Sequence, residues 1–150
     1  MKVELKKLKE LREKTGVSLM KCREALEESS GDPGEALKFL QAWGAAVAEK
    51  KAERVTASGL VEAYTHANGK VASIVKVACE TDFVARTADF KELAHELAMQ
   101  IAAMDPKNVK ELLGQEYIRE PERIVDDLLK EKIAKLGENI KIEEFVRLEL

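Results

Sequence analysis

Residues 79–86 have the sequence Cys-Glu-Thr-Asp-Phe-Val-Ala-Arg and include side chains that could contact another molecule. The run lies where an alternating strand pattern gives way to a helical one, and it places the Asp82 carboxylate beside the Phe83 ring. Such a pair can be a helix cap next to a core aromatic residue. It can also be a wedge, in which both side chains are pushed outward into a partner. Neither interpretation makes the run an active site.

The rest of the sequence carries no signature of a catalytic site. It has no glycine-rich phosphate loop, no nucleophile elbow and no cysteine pair at zinc spacing. His66 and His95 lie on different predicted elements, His66 close to a hairpin tip. The neighbouring acids Asp126 and Asp127 point to different faces, so they do not form an acid–base pair. These patterns predict a protein without enzymatic activity, cofactor or metal ion.

Composition predicts a folded, largely helical chain. Of its 150 residues, 45% are hydrophobic and 35% are charged, and Gly and Pro are few. The net charge is −3, and neither residues 1–54 nor residues 55–150 are basic enough to neutralise phosphates nonspecifically, so we expect no direct contact with nucleic acid. The basic residues Lys50, Lys51 and Arg54 leave one alternative open, a local nucleic-acid patch whose binding would depend steeply on salt.

Cysteine usage and hydropathy predict the compartment in which the protein works. Cys22 and Cys79 are isolated in helical and strand patterns, which is typical of reduced, buried thiols in a reducing compartment. No stretch is long and apolar enough to span a bilayer, and the first residues read as a charged helix rather than a signal peptide. We therefore expect a soluble, cytoplasmic protein that does not contact a membrane.

The first third of the chain has the pattern of three short helices. Leucines recur at helical spacing before Gly16, Ser18 can cap a second helix, and Asp32-Pro33 opens a third. Gly44 is expected to end this bundle, and the residues after it read as a helical connector. Residues 1–54 are therefore predicted to form a three-helix bundle plus a helical connector.

From Ser58 onward the period of the hydrophobic pattern changes to two. The alternating stretches 60–66 and 70–80 flank Asn68-Gly69, and both of these residues can accept a positive φ. This combination predicts an antiparallel hairpin. On its second strand one face is predicted to carry Val71, Ser73, Val75, Val77 and Cys79.

Two longer helices and a returning strand are predicted after the hairpin. The first helix stops before Asp105-Pro106, and the second opens at Pro121 and closes at Gly137. Residues 107–120 between them are ambiguous and can hold one short helix. One face of the final strand is predicted to carry Ile140, Ile142, Glu144, Val146 and Leu148.

The fold class expected from these elements is α+β. Residues 55–150 should form a small, mainly antiparallel three-stranded sheet with helices on one face. Such a sheet has open edges and an uncovered face, which favours self-association.

Several stretches, taken together, resemble one known family, translation elongation factor Ts. They run in family order from near residue 5 to near residue 148 and comprise residues 11–16, 19–26, the helix start at Gly31-Asp32, residues 50–52, 79–86 and 133–140. Members of that family are nucleotide exchange factors for elongation factor Tu, the GTPase that delivers aminoacyl-tRNA to the ribosome. The resemblance implies that the N-terminal helices are similar to a ubiquitin-associated (UBA) domain.

The resemblance also implies roles for individual residues. Thr81, Asp82, Phe83 and Val84 would intrude into the GTPase and disturb its Mg²⁺ site. A second group would contact the nucleotide-binding domain from the N-terminal surface and the connector: Arg12, Leu19, Met20, Arg23 and Lys51. Lys21 departs from the family pattern, because an acid is common at its position.

Length is the larger departure from the family. Long members carry two related copies of the core, whereas this chain has one, and residues 105–120 bridge a segment that is usually longer. Pairing of two chains into a homodimer would recreate the two-copy core. The alternative function, based on the bundle alone, is a ubiquitin-like or peptide-binding adaptor without exchange activity.

Overall fold

A computed structural model describes residues 2–150, and these residues form seven helices and five strands. In chain order the elements are α1 (Leu5–Thr15), α2 (Leu19–Glu28), α3 (Pro33–Lys51), β1 (Ser58–Thr65), β2 (Val71–Cys79), α4 (Asp82–Ala85), α5 (Ala88–Met104), α6 (Val109–Gly114), β3 (Glu116–Tyr117), β4 (Glu120–Ile124), α7 (Val125–Leu136) and β5 (Ile140–Glu149). Strands β1, β2 and β5 form one antiparallel sheet in the order β1-β2-β5. The predicted α+β class with a small three-stranded antiparallel sheet is confirmed.

Helix α1 ends, and helices α2 and α3 begin, at the residues that the sequence predicts. Gly16 takes the left-handed conformation with φ 67°, and its amide donates to the Arg12 carbonyl at 2.7 Å, which closes α1. Ser18 and Asp32 cap α2 and α3 by accepting hydrogen bonds from backbone amides three residues onward. These helices enclose a core of their own, made of Leu8, Leu11, Val17, Cys22, Ala25, Leu26, Ala36 and Leu40.

Gly44, which was predicted to end the bundle, lies inside the third helix. Helix α3 continues without a break to Lys51, so the expected connector is the second half of the same helix. Gly44 is buried, and a Cβ built on it would lie 3.6 Å from the Ala134 Cβ of α7. Gly44 therefore lies in the contact between α3 and α7, where a methyl group could be accommodated, and it does not mark a helix end.

The hairpin between β1 and β2 has the predicted position but a longer turn. The His66 amide donates to the Val71 carbonyl at 2.9 Å, and the Gly69 amide donates to the His66 carbonyl at 2.8 Å. Gly69 has φ 71°, whereas Asn68 is not in the left-handed region. Only one of the two residues expected to need a positive φ therefore does so. The Asn68 side chain instead accepts a hydrogen bond from the Lys70 amide at 3.0 Å.

The main core lies between the sheet and helix α5. On β2 the predicted face is buried from residue 73 to 79, and it packs against α5 residues such as Phe90, Leu93 and Leu97. The opposite face of the sheet exposes a set of apolar side chains: Val61, Ile74, Val146 and Leu148. The sheet is thus covered by helix on one face, and apolar groups remain exposed on the other.

A bulge in β5 overturns the prediction that one face carries every second residue of this strand. Ile142 pairs with Val77 while Glu144 pairs with Lys76, so Glu143 is an extra residue in β5. Before the bulge, the core face holds Ile140 and Ile142, which are buried. After it, the core face passes to Phe145 and Arg147, and Val146 and Leu148 turn outward.

Pro121 does not open a helix, which corrects a second boundary. It lies in β4, a short strand that pairs only with β3, and α7 begins four residues later at Val125. Proline lacks an amide donor and is tolerated on such an edge strand. The start of α7 is set by Asp127, whose carboxylate accepts a hydrogen bond from the Ile124 amide at 3.1 Å.

Polar contacts hold the β3-β4 hairpin and helix α7 against α5. The Glu96 carboxylate of α5 is buried and accepts hydrogen bonds from the Tyr117 hydroxyl at 2.9 Å and from Arg119 Nε at 2.6 Å. Burial, followed by the hydrogen bond to Glu96, raises the pKa of the Tyr117 phenol well above its usual range.

Asp89, at the start of α5, joins that helix to α7. It accepts from the side chains of Lys135 at 2.9 Å and Lys132 at 3.3 Å, and the bond from Lys135 lowers the pKa of the Asp89 carboxyl most.

Candidate protein-binding site

The 81–84 segment forms the first turn of α4, directly after the end of β2. Thr81 has extended backbone angles, and its Oγ1 accepts a hydrogen bond from the Val84 amide at 3.3 Å. This is the N-cap arrangement, and only two residues separate the end of β2 from the start of α4. The sequence pattern of a cap between strand and helix therefore gives the local structure, with Thr81 rather than Asp82 as the capping residue.

This turn sends adjacent side chains in opposite directions. Val84 and Ala85 are each 5% exposed and belong to the main core, whereas the Phe83 side chain is 82% exposed. Asp82 is also exposed and forms an ion pair with Arg86 at 2.5 Å. Of the two interpretations of this run, the exposure of Phe83 fits the wedge and excludes a core aromatic residue. Val84 anchors the turn from the inside, and its side chain faces the core.

The backbone before α4 is bound by a residue that the sequence analysis assigned no role. Glu138, in the loop between α7 and β5, accepts three hydrogen bonds through its carboxylate: from the Glu80 amide at 3.1 Å, the Thr81 amide at 2.9 Å and the Thr81 hydroxyl at 2.7 Å. We refer to these three bonds as the Glu138 clamp. Its donors lie 57 and 58 residues away in sequence, so no local pattern reveals it.

The loop that carries Glu138 is itself fixed on two sides. Asn139 is 2% exposed, and its side-chain amide donates to the Arg54 carbonyl at 2.8 Å and the Ala52 carbonyl at 3.3 Å. The Asn139 backbone amide donates to the Glu80 carboxylate at 3.0 Å. Lys51, at the end of α3, donates to the Gly137 carbonyl at 2.7 Å. Lys51 is therefore connected to the 81–84 segment through this loop.

Cys79 lies beneath the segment and is fully buried. Its thiol donates to the Thr81 carbonyl at 3.2 Å. Burial, followed by the nearby Glu138 carboxylate, raises the pKa of the Cys79 thiol. A thiol with a raised pKa is protonated and unreactive at neutral pH, so Cys79 serves packing rather than chemistry.

The N-terminal candidates lie on α1 and α2, away from the 81–84 segment. Arg12, Leu19, Met20 and Arg23 are all exposed. No hydrogen bond or ion pair within residues 2–150 joins these four to the 81–84 segment. Lys21, which departs from the family pattern, pairs with Glu24 at 2.8 Å and lies 5.3 Å from the centres of the Phe39 and Trp43 rings. The unusual lysine is thus turned toward its own helix and α3.

A cleft of about 540 Å³ between α3 and the start of α7 contains none of the predicted site residues. Three of its charged groups bind one another, since Arg123 contacts both Glu120 and Glu131. Across residues 2–150, no group of three or more His, Cys, Asp or Glu side chains is arranged to hold a metal ion. No helix in the same range combines the length and the apolar character needed to cross a membrane. Asp82 and Phe83 are exposed side by side, which fits contact with another macromolecule.

Comparison with known proteins identifies relatives of the whole chain. A family model described as "Elongation factor TS" matches residues 80–150. The chain is 42% identical to elongation factor Ts of Thermoanaerobacter sp. (strain X514), with 95% of this chain and 92% of the relative covered. It is 40% identical to elongation factor Ts of Coprothermobacter proteolyticus over 98% of both chains.

A third relative shows where the lengths differ. Elongation factor Ts of Thermotoga neapolitana is 38% identical over 193 positions that include all of this 150-residue chain and 98% of the relative. At least 43 of those 193 positions therefore have no counterpart here. The identity and the mutual coverage exceed what a shared fold alone would give, and the chain belongs to the elongation factor Ts family.

Proposed function

We propose that this protein is a guanine nucleotide exchange factor for elongation factor Tu and acts during translation elongation. In this proposal it promotes GDP release by inserting the 81–84 segment near the Mg²⁺ site of the GTPase, without making or breaking a covalent bond. Membership of the family supports the role in elongation. The single observation that carries the insertion step is the exposure of Phe83 on a turn whose next two residues are buried.

Exchange of this kind requires only differential binding. If the factor binds best to a GTPase conformation with a distorted phosphate and metal site, GDP must bind that conformation less well. By the same linkage, GDP must weaken the binding of the factor. A coupling of several kcal/mol would accelerate release by orders of magnitude, because each 1.4 kcal/mol is about tenfold.

The segment is suited to this task because it is both exposed and constrained. An aromatic ring on a flexible loop would lose conformational entropy when it enters a partner, which reduces the energy left for distortion. Here the capping bond from Val84 to Thr81 and the buried Val84 and Ala85 side chains fix the backbone beforehand. Asp82 presents a carboxylate next to the ring and would be the polar companion of Phe83 in the inserted segment.

The N-terminal residues form a second contact in this proposal. Arg12, Leu19, Met20 and Arg23 would bind the nucleotide-binding domain of elongation factor Tu, and the end of α3 at Lys51 would add a connector contact. Their exposure, mixing basic and apolar side chains, fits a docking surface. The Lys51 ammonium group donates a hydrogen bond to the Gly137 carbonyl, so it would contact elongation factor Tu from a fixed position.

We further propose the division of the chain into a UBA-like bundle with connector, residues 1–54, and an α+β core domain, residues 55–150. Two hydrophobic clusters support it, because one consists of residues between Leu8 and Leu40 and the other, apart from Ala48 of α3, of residues between Val75 and Ile142. The core domain would form a homodimer, because the outer face of its sheet exposes Val61, Ile74, Val146 and Leu148. Light scattering across a dilution series tests this, and a mass that stays at 16.7 kDa when concentrated would contradict the dimer.

The decisive test of the exchange function is stopped-flow release of a fluorescent GDP analogue from bacterial elongation factor Tu. We expect release to accelerate with the concentration of this protein and to saturate. No acceleration at any concentration would refute the exchange function. The adaptor alternative predicts instead that residues 1–54 alone retain full affinity for the partner, whereas the exchange proposal predicts that this fragment cannot release GDP.

A further inference from the structure

Glu138 occupies a position from which it can set the direction of Phe83. Its carboxylate binds the two amides that precede α4 and the hydroxyl of the capping residue, at 2.7–3.1 Å. Hydrogen bonds to an ionised carboxylate are about twice as strong as those between neutral groups. No other side chain within residues 2–150 binds the Glu80 and Thr81 amides in this way.

The same Thr81 hydroxyl serves two purposes. It donates to Glu138 and accepts from the Val84 amide, so the clamp and the helix cap share one atom. Phe83 makes little contact with the rest of the protein, so its direction is set by the backbone of α4 and not by packing of its own ring. Whatever holds the Thr81 backbone therefore aims the ring.

The clamp also connects the segment to the end of α3. The neighbours of Glu138 are bound by that part of the chain, Gly137 through Lys51 and Asn139 through the Arg54 carbonyl. A carboxylate in a loop fixed from the other side can act as a rigid support. The position of the 81–84 segment therefore depends on the end of α3 and the residues just after it, and not only on the sheet.

We propose that Glu138 is a positioning residue for nucleotide exchange, which holds the Thr81 backbone so that Phe83 enters the GTPase at the angle needed for GDP release. This inference rests on the proposed function and adds a residue to it. Glu138 acts through Thr81 and does not itself touch the nucleotide site.

The test compares Glu138→Ala with Glu138→Gln and with Glu143→Ala, an exposed glutamate of β5, as the matched control. GDP release from elongation factor Tu is measured at increasing factor concentration, which separates the maximal rate from the half-saturating concentration. We expect Glu138→Ala to lower the maximal rate at least tenfold while the half-saturating concentration changes less than threefold. Glu138→Gln should be intermediate, because its amide oxygen still accepts from both backbone amides. Glu143→Ala should match the wild type.

A double variant separates positioning from a general loss of stability. If Glu138 acts through Thr81, the effects of Glu138→Ala and Thr81→Val on the maximal rate should not add. Amide hydrogen exchange of peptides covering residues 79–86 in the free protein gives a readout independent of elongation factor Tu. It should be faster in Glu138→Ala and unchanged in Glu143→Ala.

The outcomes distinguish the inference from the function beneath it. A wild-type protein that accelerates release, with Glu138→Ala within twofold of its maximal rate, would overturn only the positioning role. Unchanged hydrogen exchange over residues 79–86 would overturn the clamp itself. If the wild type does not accelerate release, the proposed function fails and the role of Glu138 in exchange fails with it.

Discussion

Truncation of Phe83 should separate function from stability more clearly than any other single change. Full burial of a phenylalanine side chain is worth about 1.5–3 kcal/mol. Because the side chain is 82% exposed, the isolated protein realises only about a fifth of that, roughly 0.3–0.6 kcal/mol. Phe83→Ala should therefore lower the melting temperature by no more than about 2 °C, since 1 kcal/mol corresponds to about 2–4 °C in a chain of this size.

The remaining four-fifths of the apolar burial becomes available only in the complex. It amounts to about 1.2–2.5 kcal/mol, and an empty pocket in the partner raises the cost toward the 3–5 kcal/mol of a core Phe→Ala change. At about tenfold per 1.36 kcal/mol, the maximal rate of GDP release should fall by roughly tenfold to a thousandfold. The two predictions thus differ in scale, a small change in stability and a large one in exchange.

The measurement pairs calorimetry of the free variant with stopped-flow GDP release at saturating factor. Leu5→Ala is the matched control, because Leu5 is also an exposed apolar residue, 70% exposed, and lies in α1 outside the proposed contacts. A release rate within twofold of the wild type would refute the use of Phe83 as a wedge. A fall in melting temperature beyond about 5 °C would show that the ring supports the fold and that the reasoning from exposure is wrong.

Three further predictions concern contacts between the elements of the fold. Gly44→Ala should raise the free energy of unfolding by about 0.5–1 kcal/mol, because a Cβ there meets Ala134 at an ordinary contact distance. Gly44→Leu should instead lower it by about 1–3 kcal/mol, because the larger side chain overpacks the contact between α3 and α7. Calorimetry of both variants checks the two signs. Tyr117→Phe should cost about 1.5–3 kcal/mol in urea unfolding, since the buried Glu96 carboxylate loses a donor, and an unchanged midpoint would contradict that bond. The lowered pKa of Asp89 means that the native state binds its proton less readily than the unfolded state does. Its contribution should be present above the unfolded pKa of about 3.9 and be lost as the pH falls through the lower native value, so the stability difference between wild type and Asp89→Asn should vanish in acid.

The candidate site could be predicted in part, and the limits have a physical cause. Residues 79–86 are recognisable from their order, and the strand-to-helix change is local, since the cap bond joins Thr81 to Val84 three residues away. Composition could not decide whether Phe83 is core or exposed. That depends on which side of the turn meets α5 and the sheet. Glu138 lies in a stretch that matches the family, yet its partners are 57 and 58 residues away, and nothing local indicates a role.

The fold follows the same division. Helix caps, the β1-β2 hairpin and the helix end at Gly137 are predictable because each depends on contacts within a few residues. The continuation of α3 through Gly44 depends on its packing against α7, and the short strand at Pro121 depends on pairing with β3. The bulge at Glu143 places Ile142 and Phe145 on the same face of the sheet, the face that packs on the main core.

The sequence by itself therefore determined the family, the α+β class and the segment through which this protein is proposed to act, since these depend on residue order and local chemistry. The tertiary structure alone decided that Phe83 is exposed and that Val84 faces the core. It also decided that Glu138 holds the backbone of Glu80 and Thr81, between β2 and α4. The physical reason is distance along the chain. Direction and support of a side chain are set by whichever remote groups the fold brings within hydrogen-bond or van der Waals range.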